Sequence, residues 1–440
     1  MASQVEVKRL LPSSNLARRF ESDGQARFDP ESGTVVAPDR RRWEFSSSGT
    51  LAYTHAIHPY VASMNPHLAR ELIASLLPPG GRLLDPFAGG GAVLVEAALT
   101  GVPAVGTDVN PLACLISRAK THFIPGDRLR ATYQEIVRAY PRTRADPPSF
   151  PEHARVEFWF KPYMLDPLSR LAKLVLAVPD IAQRTAFMVI LSATVRDVSL
   201  TYRGEVRLHK LKGKDLGRFH PDVMGKFRER AELAIQRIPQ IPSSSEVVVE
   251  EGDVRHLPFE DGAFSAIVTS PPYGDDRNGV GYFQFSKNML YWLGYTENQI
   301  REAKMNFMGD VKVGKAAPES HTLHKVIEQI RDNPIPSNPN AESEAVAFYD
   351  DYQRALGEMT RVCEGPIAVV IGDRTLSQTF IDNANITTEL MSNLDWKLRE
   401  YYHRVIEKKR IPVMLPGGHQ RDRSGGGLIN KEHTLVYERN

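Results

Sequence analysis

Apolar residues follow two patterns along this chain, helical spacing and short buried runs. Beyond residue 50, Leu68, Leu72 and Leu76 recur at helical spacing, a Pro-Gly break follows, and the next apolar run, RLLDPF, is typical of a buried strand. A glycine-rich turn, the apolar helix pattern AVLVEAALTG and a second short strand pattern, AVGTD, come next. Strand, glycine loop, helix and strand in this order predict the βαβ half of a nucleotide-binding sheet.

The strand and helix patterns divide the chain into four parts. Residues 1–50 are polar and lack a sustained period, so they are expected to form an N-terminal arm. Residues 51–120 hold the first βαβ half and 246–440 the second, and between them 121–245 carry mostly helical patterns, which predicts a helical insert. Within the last part, residues 301–345 are polar and contain several prolines, and we expect a mobile excursion there.

Composition narrows the class of protein. With 440 residues, 42% of them hydrophobic and 25% charged, the chain can bury a large core. Its two cysteines, Cys114 and Cys363, belong to no CxxC pair, which argues against a disulfide scaffold or a structural zinc site. The first 20 residues have no apolar run long enough for the core of a signal peptide, so no export signal is expected. No run of about 18 apolar residues occurs in the sequence, so no membrane span is expected. These features predict a cytoplasmic protein with no membrane partner and no bound metal.

Three predicted strands end in residues that suit a nucleoside ligand. The loop DPFAGGG at 85–91 lets backbone N–H groups approach a ligand closely, and it lacks both the GxGxxG of dinucleotide enzymes and the GK[ST] ending of a P-loop. Asp108 ends the second strand, where a carboxylate can accept from two ribose hydroxyls, and Asp253 follows a third, where an adenine amine could bind. Each feature alone is common in turns and helix caps, but the three together favour a binding site.

Together with TSPPY at 269–273, these motifs resemble those of S-adenosylmethionine-dependent DNA methyltransferases of the amino-methylating type. DPFAGGG is similar to the family's cofactor loop, DPF-x-G-x-G, with Gly90 where Ser is common; GTDVNPLA, GDVRHLPF and TSPPY match the second, third and catalytic motifs. The resemblance implies S-adenosylmethionine as cofactor. It also implies an α/β fold, a Rossmann-like class I methyltransferase sheet of seven strands with the last strand antiparallel, carrying the helical insert.

The resemblance also identifies cofactor residues. The stretch HPYVASMNP, just upstream of the loop, is expected to close over the methionine end of the cofactor. The predicted cofactor-binding residues are Asp85, Pro86, Phe87, Ala88, Gly89, Gly91, Asp108, Val109, Asp253 and Val254.

TSPPY has the chemistry of a clamp for a base amine. Ser270 Oγ and the carbonyl of Pro271 are acceptors at a strand end, the Pro271-Pro272 pair restricts the backbone, and Tyr273 offers a ring for stacking on a flipped base. Acceptors that hold an exocyclic amine turn its lone pair toward an electrophile. These four residues are the predicted catalytic site. In the resembling family Ser in the first position is common among cytosine-N4 enzymes and Asp among adenine-N6 enzymes, so cytosine is favoured and adenine stays open.

Basic residues cluster where a nucleic acid could bind. The predicted DNA contacts are Arg203, Arg207, Lys210, Lys212, Lys214, Arg277, Lys408, Lys409 and Arg410. Such runs also occur on plain solvated faces, and the net charge of +2 does not decide between the two interpretations. We expect duplex DNA as the partner and a cognate restriction endonuclease as a possible separate partner. The segment that reads the target is expected to be the insert at 121–245, the excursion at 301–345, or both.

Two other functions stay open on the sequence alone. An RNA guanine-N2 methyltransferase uses a similar cofactor loop with an Asp- or Asn-Pro-Pro-Tyr motif, although no RNA-binding module is recognisable here. A non-catalytic DNA-binding protein on the same fold is expected to lose the glycine loop or the PPY, and this chain keeps both.

Overall fold

A computed structural model of the chain describes residues 27–29, 34–36, 49–148, 150–202, 209–274, 282–309, 315–336, 338–405 and 431–440. Its strands are β1 (Arg27–Asp29), β2 (Thr34–Val36), β3 (Leu83–Asp85), β4 (Ala104–Asp108), β5 (Val247–Glu251), β6 (Ala266–Thr269), β7 (Ile367–Gly372), β8 (Arg374–Leu376), β9 (Thr379–Ile381), β10 (Trp396–Val405) and β11 (Lys431–Arg439). Its helices are α1 (Pro66–Leu76), α2 (Ala92–Thr100), α3 (Pro111–Thr121), α4 (Gly126–Ala139), α5 (Val156–Trp159), α6 (Pro162–Leu176), α7 (Ile181–Val198), α8 (Gly213–Arg218), α9 (Val223–Arg237), α10 (Tyr282–Trp292), α11 (Glu297–Met305), α12 (His321–Asp332), α13 (Ala341–Val362) and α14 (Asn383–Ser392). Short 3-10 turns lie at Tyr53–Ala56, Tyr140–Arg142, Glu152–Ala154, Ile238–Gln240 and Val254–His256.

A seven-stranded sheet organises the molecule, in the order β10-β11-β7-β6-β3-β4-β5. The strands from β7 to β5 are parallel, and β11 is inserted between β7 and β10 and runs antiparallel to both. The predicted fold class is therefore confirmed. From β3 the chain builds outward through β4 and β5, and β6 and β7 then form on the other side of β3. The crevice between the carboxyl ends of β3 and β6 is the switch point at which open α/β sheets bind ligands.

Helices cover both faces of this sheet because its central strands are apolar on both sides. Along β6 and β7, alternate residues point in opposite directions. Val268 and Val370 pack in the cluster that includes α1 and α2, whereas Ile267 and Ile371 pack in the cluster that includes α13 and α14. All four side chains are completely buried, so the strand ends that carry the site stand on a rigid support.

The helices between β4 and β5 have a core of their own. Phe187 of α7 and Phe227 of α9 are fully buried there, and the same cluster includes Ile116 of α3 and Trp292 of α10. The helical region therefore packs directly against α3, which follows β4, and against α10, which follows the TSPPY motif.

The stretch 301–345, expected to be a mobile excursion, contains a helix with a buried face. In α12 the residues Leu323, Val326, Ile327 and Ile330 are buried and pack in the same cluster as α13. These positions follow helical spacing, but the polar residues around them dominate the composition of the segment. Composition alone therefore concealed an amphipathic helix.

A buried ion cluster anchors the segment that precedes α1. Glu96 of α2 is 1% exposed and contacts His55 Nε2 at 2.8 Å and Arg70 Nε at 2.6 Å. Burial lowers the pKa of His55, so the Arg70 guanidinium supplies the positive charge that Glu96 requires at neutral pH. The contact between His55 and Glu96 holds residues 53–56 next to α2.

Replacing Glu96 with alanine should lower the free energy of unfolding by about 2 kcal/mol or more, because His55 and Arg70 lose their common acceptor. Urea denaturation followed by circular dichroism measures this. The control is Glu232→Ala, which breaks an exposed pair with Arg130 (2.6 Å, side chains 49% and 44% exposed) and should cost less than about 1 kcal/mol. Equal losses in the two variants would contradict the role given to Glu96.

Candidate active site and cofactor cleft

A cleft, here called the cofactor cleft, opens at the carboxyl edge of the sheet over the crevice between β3 and β6. Its empty volume, open mouth included, is about 840 Å³, which is in the range of small-molecule sites. The predicted cofactor and catalytic residues that line it are Asp85, Pro86, Phe87, Ala88, Gly89, Asp108, Val109, Asp253, Val254, Ser270 and Pro272. The predicted residues Gly91, Pro271 and Tyr273 do not line it. The fold thus brings the glycine loop, three strand-end acids and the motif serine to one space.

Hydrogen bonds from neighbouring elements hold the glycine loop. Asp108, at the end of β4, accepts from Gly89 N at 2.8 Å and from Asn110 N at 2.8 Å, with one bond on each carboxylate oxygen. Ser117 Oγ of α3 donates to the carbonyl oxygen of Gly89 at 3.0 Å. Gly91, with φ +76°, takes the left-handed conformation in which α2 begins. Contacts within the protein therefore define the shape of the loop.

Residues 60–64 cover the glycine loop on the side opposite its supports and line the cofactor cleft. A Cβ on Gly90 would lie 2.8 Å from Tyr60 Cβ and 2.9 Å from Ser63 Oγ. This close approach explains why glycine stands where related motifs often have serine. From the other side Lys120 Nζ donates to the carbonyl oxygen of Gly90 at 3.0 Å, and burial lowers the pKa of this lysine to about 7.

Two carboxyl groups in the cofactor cleft resist ionisation. Asp85 is 3% exposed and accepts from Thr269 Oγ1 at 2.7 Å and Phe87 N at 3.3 Å, both on Oδ1. Burial raises the pKa of Asp85 to about 7, and the negative charge of Asp108 adds to this shift. Burial likewise raises the pKa of Asp108 to about 6. A ligand that carries positive charge into the cleft would stabilise both carboxylates, so the electrostatics suit a cation.

The third acid, Asp253, is paired within the protein. Its two oxygens accept from the Arg255 guanidinium at 2.6 to 3.0 Å. Arg255 also contacts Asp351 of α13 at 2.9 Å and donates to the carbonyl oxygen of Asn306 at 3.1 Å. This bridge holds residues 306–308, which line the cleft and which the sequence did not single out. In the sequence, Phe307 and Met308 differ from their polar neighbours only as a pair of apolar residues.

The hydroxyl hydrogen of the motif serine is already used. Ser270 Oγ donates to the carbonyl oxygen of Val370 in β7 at 2.9 Å. Because a hydroxyl has one hydrogen and two lone pairs, Ser270 keeps only the capacity to accept. Ser270 and Pro272 border the cleft, whereas Pro271 is buried.

Tyr273 is partly buried against the end of β7. A Cβ on Gly372 would lie 2.8 Å from the ring atom Cε2, and the tyrosine hydroxyl donates to Glu432 Oε1 of β11 at 3.1 Å. Asn383 Nδ2 donates to the carbonyl oxygen of Tyr273 at 3.2 Å. The glycine at 372 makes room for the ring, and the last strand of the sheet fixes its orientation.

Three of the predicted DNA contacts fall in the described part of the chain. Lys212 and Lys214 are exposed, and Lys210 Nζ lies 4.1 Å from the centre of the Phe158 ring. The others, Arg203, Arg207, Arg277, Lys408, Lys409 and Arg410, lie outside the described residues.

The described ranges include both cysteines of the chain and many side chains of the types that bind metals. Within them, no group of three His, Cys, Asp or Glu side chains is placed to hold a metal ion. Both cysteines are buried; burial raises the pKa of Cys363 to about 12 and that of Cys114 well above its ordinary value. No described helix has the length and apolar character needed to cross a membrane.

Comparisons with known proteins find methyltransferases. Residues 52–135 match the family model described as UPF0020, RMKL-like, methyltransferase domain, which implies S-adenosylmethionine as the cofactor. Over 398 residues the chain is 30% identical to the Type II methyltransferase M.MvaI of Kocuria varians, a match that covers 84% of this chain and 87% of that protein. Over 52 residues it is 48% identical to the tRNA (guanine(10)-N2)-dimethyltransferase of Methanothermobacter thermautotrophicus, which covers 12% of this chain and 16% of that protein. Among solved structures, a methyltransferase of Methanosarcina mazei superposes with 9% identity and a TM-score of 0.29, covering 84% of this chain and 96% of the other.

Asp108→Asn should weaken binding of S-adenosylmethionine roughly tenfold to a hundredfold at pH 8, because a neutral amide replaces a charged acceptor. Since the pKa of Asp108 is about 6, the wild-type carboxylate is ionised above that pH and protonated below it. The wild-type affinity should therefore fall between pH 8 and pH 5, and the gap to the variant should narrow.

Isothermal titration calorimetry at both pH values measures these affinities. Asp127→Asn, which changes an exposed acid at the start of α4, is the matched control and should bind like the wild type. Equal affinities of wild type and Asp108→Asn at pH 8 would remove Asp108 from the cofactor site.

Proposed function

Because the chain belongs to the Type II methyltransferase family, we propose that it moves the methyl group of S-adenosylmethionine to the N4 amine of a cytosine at a specific site in duplex DNA. The proposal is carried by Ser270, which donates to Val370 and so presents an acceptor at the border of the cofactor cleft. In this proposal the enzyme works within a restriction-modification system, beside a separate endonuclease.

The residues of the cofactor cleft suit S-adenosylmethionine in both charge and shape. This cofactor supplies an electrophilic methyl group on a positively charged sulfur. Burial raises the pKa values of Asp85 and Asp108. A cation placed between these two residues and the open mouth of the cleft would stabilise their ionised carboxylates. Asp108 would accept from the ribose hydroxyls, and Asp253 would accept from the adenine amine with the lone pairs that Arg255 leaves over.

The acceptor at Ser270 addresses the main difficulty of the reaction. The lone pair of an exocyclic amine is delocalised into the ring, which makes the amine a weak nucleophile. An acceptor that holds one N–H favours a pyramidal nitrogen, whose lone pair is no longer delocalised into the ring, and offsets the positive charge that develops on nitrogen. As the new bond between nitrogen and the methyl carbon forms, the bond between that carbon and the cofactor sulfur breaks, S-adenosylhomocysteine leaves, and the methylated nitrogen gives up one proton to water. The target base has to leave the duplex to reach this position, and Tyr273 beside it would supply a stacking surface.

Direct transfer to an amine also agrees with the thiols. Methylation of a ring carbon requires a thiolate nucleophile, and burial raises the pKa of both Cys114 and Cys363. Neither cysteine lies in the wall of the cofactor cleft. We therefore propose a mechanism without a covalent bond between enzyme and base.

Two other targets remain as alternatives. Adenine N6 carries an amine of the same kind, and only the association of Ser with cytosine in the resembling family argues against it. The 52-residue similarity to a tRNA guanine-N2 enzyme supports RNA as a second alternative. This support is weaker than the support for DNA, because that match covers 12% of the chain and the match to the Type II relative covers 84%.

The product of the reaction should be N4-methylcytosine in duplex DNA. Tritiated S-adenosylmethionine offered with unmethylated duplex DNA or with tRNA gives the substrate class, and mass spectrometry of the nucleosides gives the base. Ser270→Ala should lower kcat tenfold or more with cofactor affinity nearly unchanged, because only the transition state loses an acceptor. The control is Ser75→Ala, at an exposed position of α1.

Any other product would contradict part or all of the proposed function. N6-methyladenine alone would replace cytosine by adenine in the proposal, methylated tRNA alone would replace the substrate class, and 5-methylcytosine would overturn the mechanism.

Lys212 and Lys214, exposed at the start of α8, are proposed to contact DNA phosphates. Changing both to glutamine should lower the slope of log affinity against log salt by up to about two, because each phosphate contact contributes about 0.9. Fluorescence anisotropy with labelled duplex DNA measures the slope. The control is Lys397→Gln. Lys397 lies at the amino end of β10, on the edge of the sheet opposite the cofactor cleft. An unchanged slope in the double variant would make this a plain solvated surface.

A further inference from the structure

The short antiparallel ribbon formed by β8 and β9 leaves the sheet directly after β7, at the edge that carries the cofactor cleft. Its register pairs Arg374 with Ile381, Thr375 with Phe380 and Leu376 with Thr379. Cross-strand partners share a face, and faces alternate along a strand. Leu376 and Ile381 are buried against the protein, so Thr375 and Phe380 lie on the opposite face, where Thr375 is half-buried and Phe380 is 51% exposed.

The turn of this ribbon is strained. Ser377 and Gln378 connect the strands with φ +49° and +64°, values that non-glycine residues rarely adopt. A two-residue hairpin loop with positive φ at both positions is normally Asn-Gly. Ser377 Oγ has no hydrogen-bond partner among the described residues, so it does not hold the turn in place. Gln378 is exposed at the tip. Ser377 and Gln378 are therefore not the residues that would make this turn most stable.

The start of the ribbon is fixed to the catalytic motif. A Cβ on Gly274, the residue after Tyr273, would lie 2.5 Å from Arg374 Nη1. The Arg374 guanidinium is buried and lies 5.4 Å from the centre of the Phe348 ring and 5.8 Å from that of the Tyr349 ring. The first residue of β8 is thus wedged between α13 and the backbone of the motif.

The end of the ribbon returns to the same place. Asn383, two residues after β9, donates from Nδ2 to the carbonyl oxygens of Gly372 at 2.7 Å and Tyr273 at 3.2 Å. Tyr349 donates to Asn383 Oδ1 and keeps that amide oriented. Anything that touches the tip therefore has a defined position relative to Tyr273 and Ser270.

We propose that this ribbon is a DNA-reading element, in which Gln378 and Phe380 contact base edges next to the target cytosine. This rests on the proposed function. The major groove admits a two-stranded β-ribbon, a Gln side chain pairs with the N6 and N7 edge of adenine, and a Phe ring contacts the methyl group of thymine. The ribbon presents both residue types outward on a rigid base tied to the catalytic motif. The chemistry that it would recognise is an A·T pair close to the target.

The decisive variant is the double change Ser377→Asn and Gln378→Gly. It installs the preferred turn, so the melting temperature should be equal to or above that of the wild type. The kcat/KM for methyl transfer to DNA should nevertheless fall roughly tenfold to a hundredfold, because base contacts are lost. Phe380→Ala should act in the same direction. Ile181→Ala, which removes an apolar side chain that is 71% exposed beside the far strand β5, is the matched control and should leave transfer unchanged.

The substrate is PCR-amplified genomic DNA, which carries no base methylation, and single-molecule sequencing of the product shows the methylated motif. Support would be reduced transfer and loss of discrimination at one A·T pair of that motif, with cofactor affinity and melting temperature kept. If the wild type methylates DNA and the variant with Ser377→Asn and Gln378→Gly is equally active and equally selective, the inference about the ribbon is overturned. The proposed function is unaffected by that result. Absence of transfer to DNA by the wild type would overturn the inference together with the proposed function.

Discussion

The hydrogen bond from Thr269 to Asp85, 2.7 Å long, joins two strand ends that are 184 residues apart in the chain. Asp85 ends β3 and opens the glycine loop, and Thr269 ends β6 and opens the TSPPY motif. Because the sheet continues in opposite directions from these two strands, their loops diverge and leave a crevice. Every other feature of the site, the acid of β4, the cover at residues 60–64 and the acceptor at Ser270, is arranged around this junction.

The same junction has an energetic cost that a ligand can offset. The pKa of Asp85 rises from 3.8 to about 7 on burial. Between those pH values the unfolded chain loses this proton and the folded chain keeps it, so the folded state binds more protons and stability falls as the pH rises through the window. A bound cation would reverse part of this loss by stabilising the carboxylate. A site that is strained in this way without its ligand is the usual result when function and stability compete for the same residues.

The TSPPY motif is held by contacts of a different kind. The Tyr273 ring lies on Gly372, and its hydroxyl is held by Glu432, which also accepts from Arg404 at the far end of β10. The last two strands of the sheet therefore serve the catalytic motif as well as the core. The β8–β9 ribbon is attached to the same motif at both ends, because Arg374 packs against Gly274 and Asn383 donates to the carbonyl oxygen of Tyr273.

Local patterns in the sequence were sufficient for the βαβ half of the sheet and for the position of the main motifs, and the resemblance that those motifs carry implied the rest of the seven-stranded sheet. Apolar periodicity distinguishes helices from strands, and the glycine loop, Asp108 and TSPPY each mark a strand end, because turn chemistry and strand length are properties of a few neighbouring residues. Several features that complete the site could not be found in this way. Residues 306–308 enter the cleft through Arg255 and Asp351, which lie 96 residues apart in the numbering, and the exposed or buried state of an aromatic residue such as Tyr273 depends on a strand 159 positions later. Only the tertiary structure decides such contacts, because a side chain's partner is set by which strands become neighbours in the sheet and not by the residues beside it in the chain.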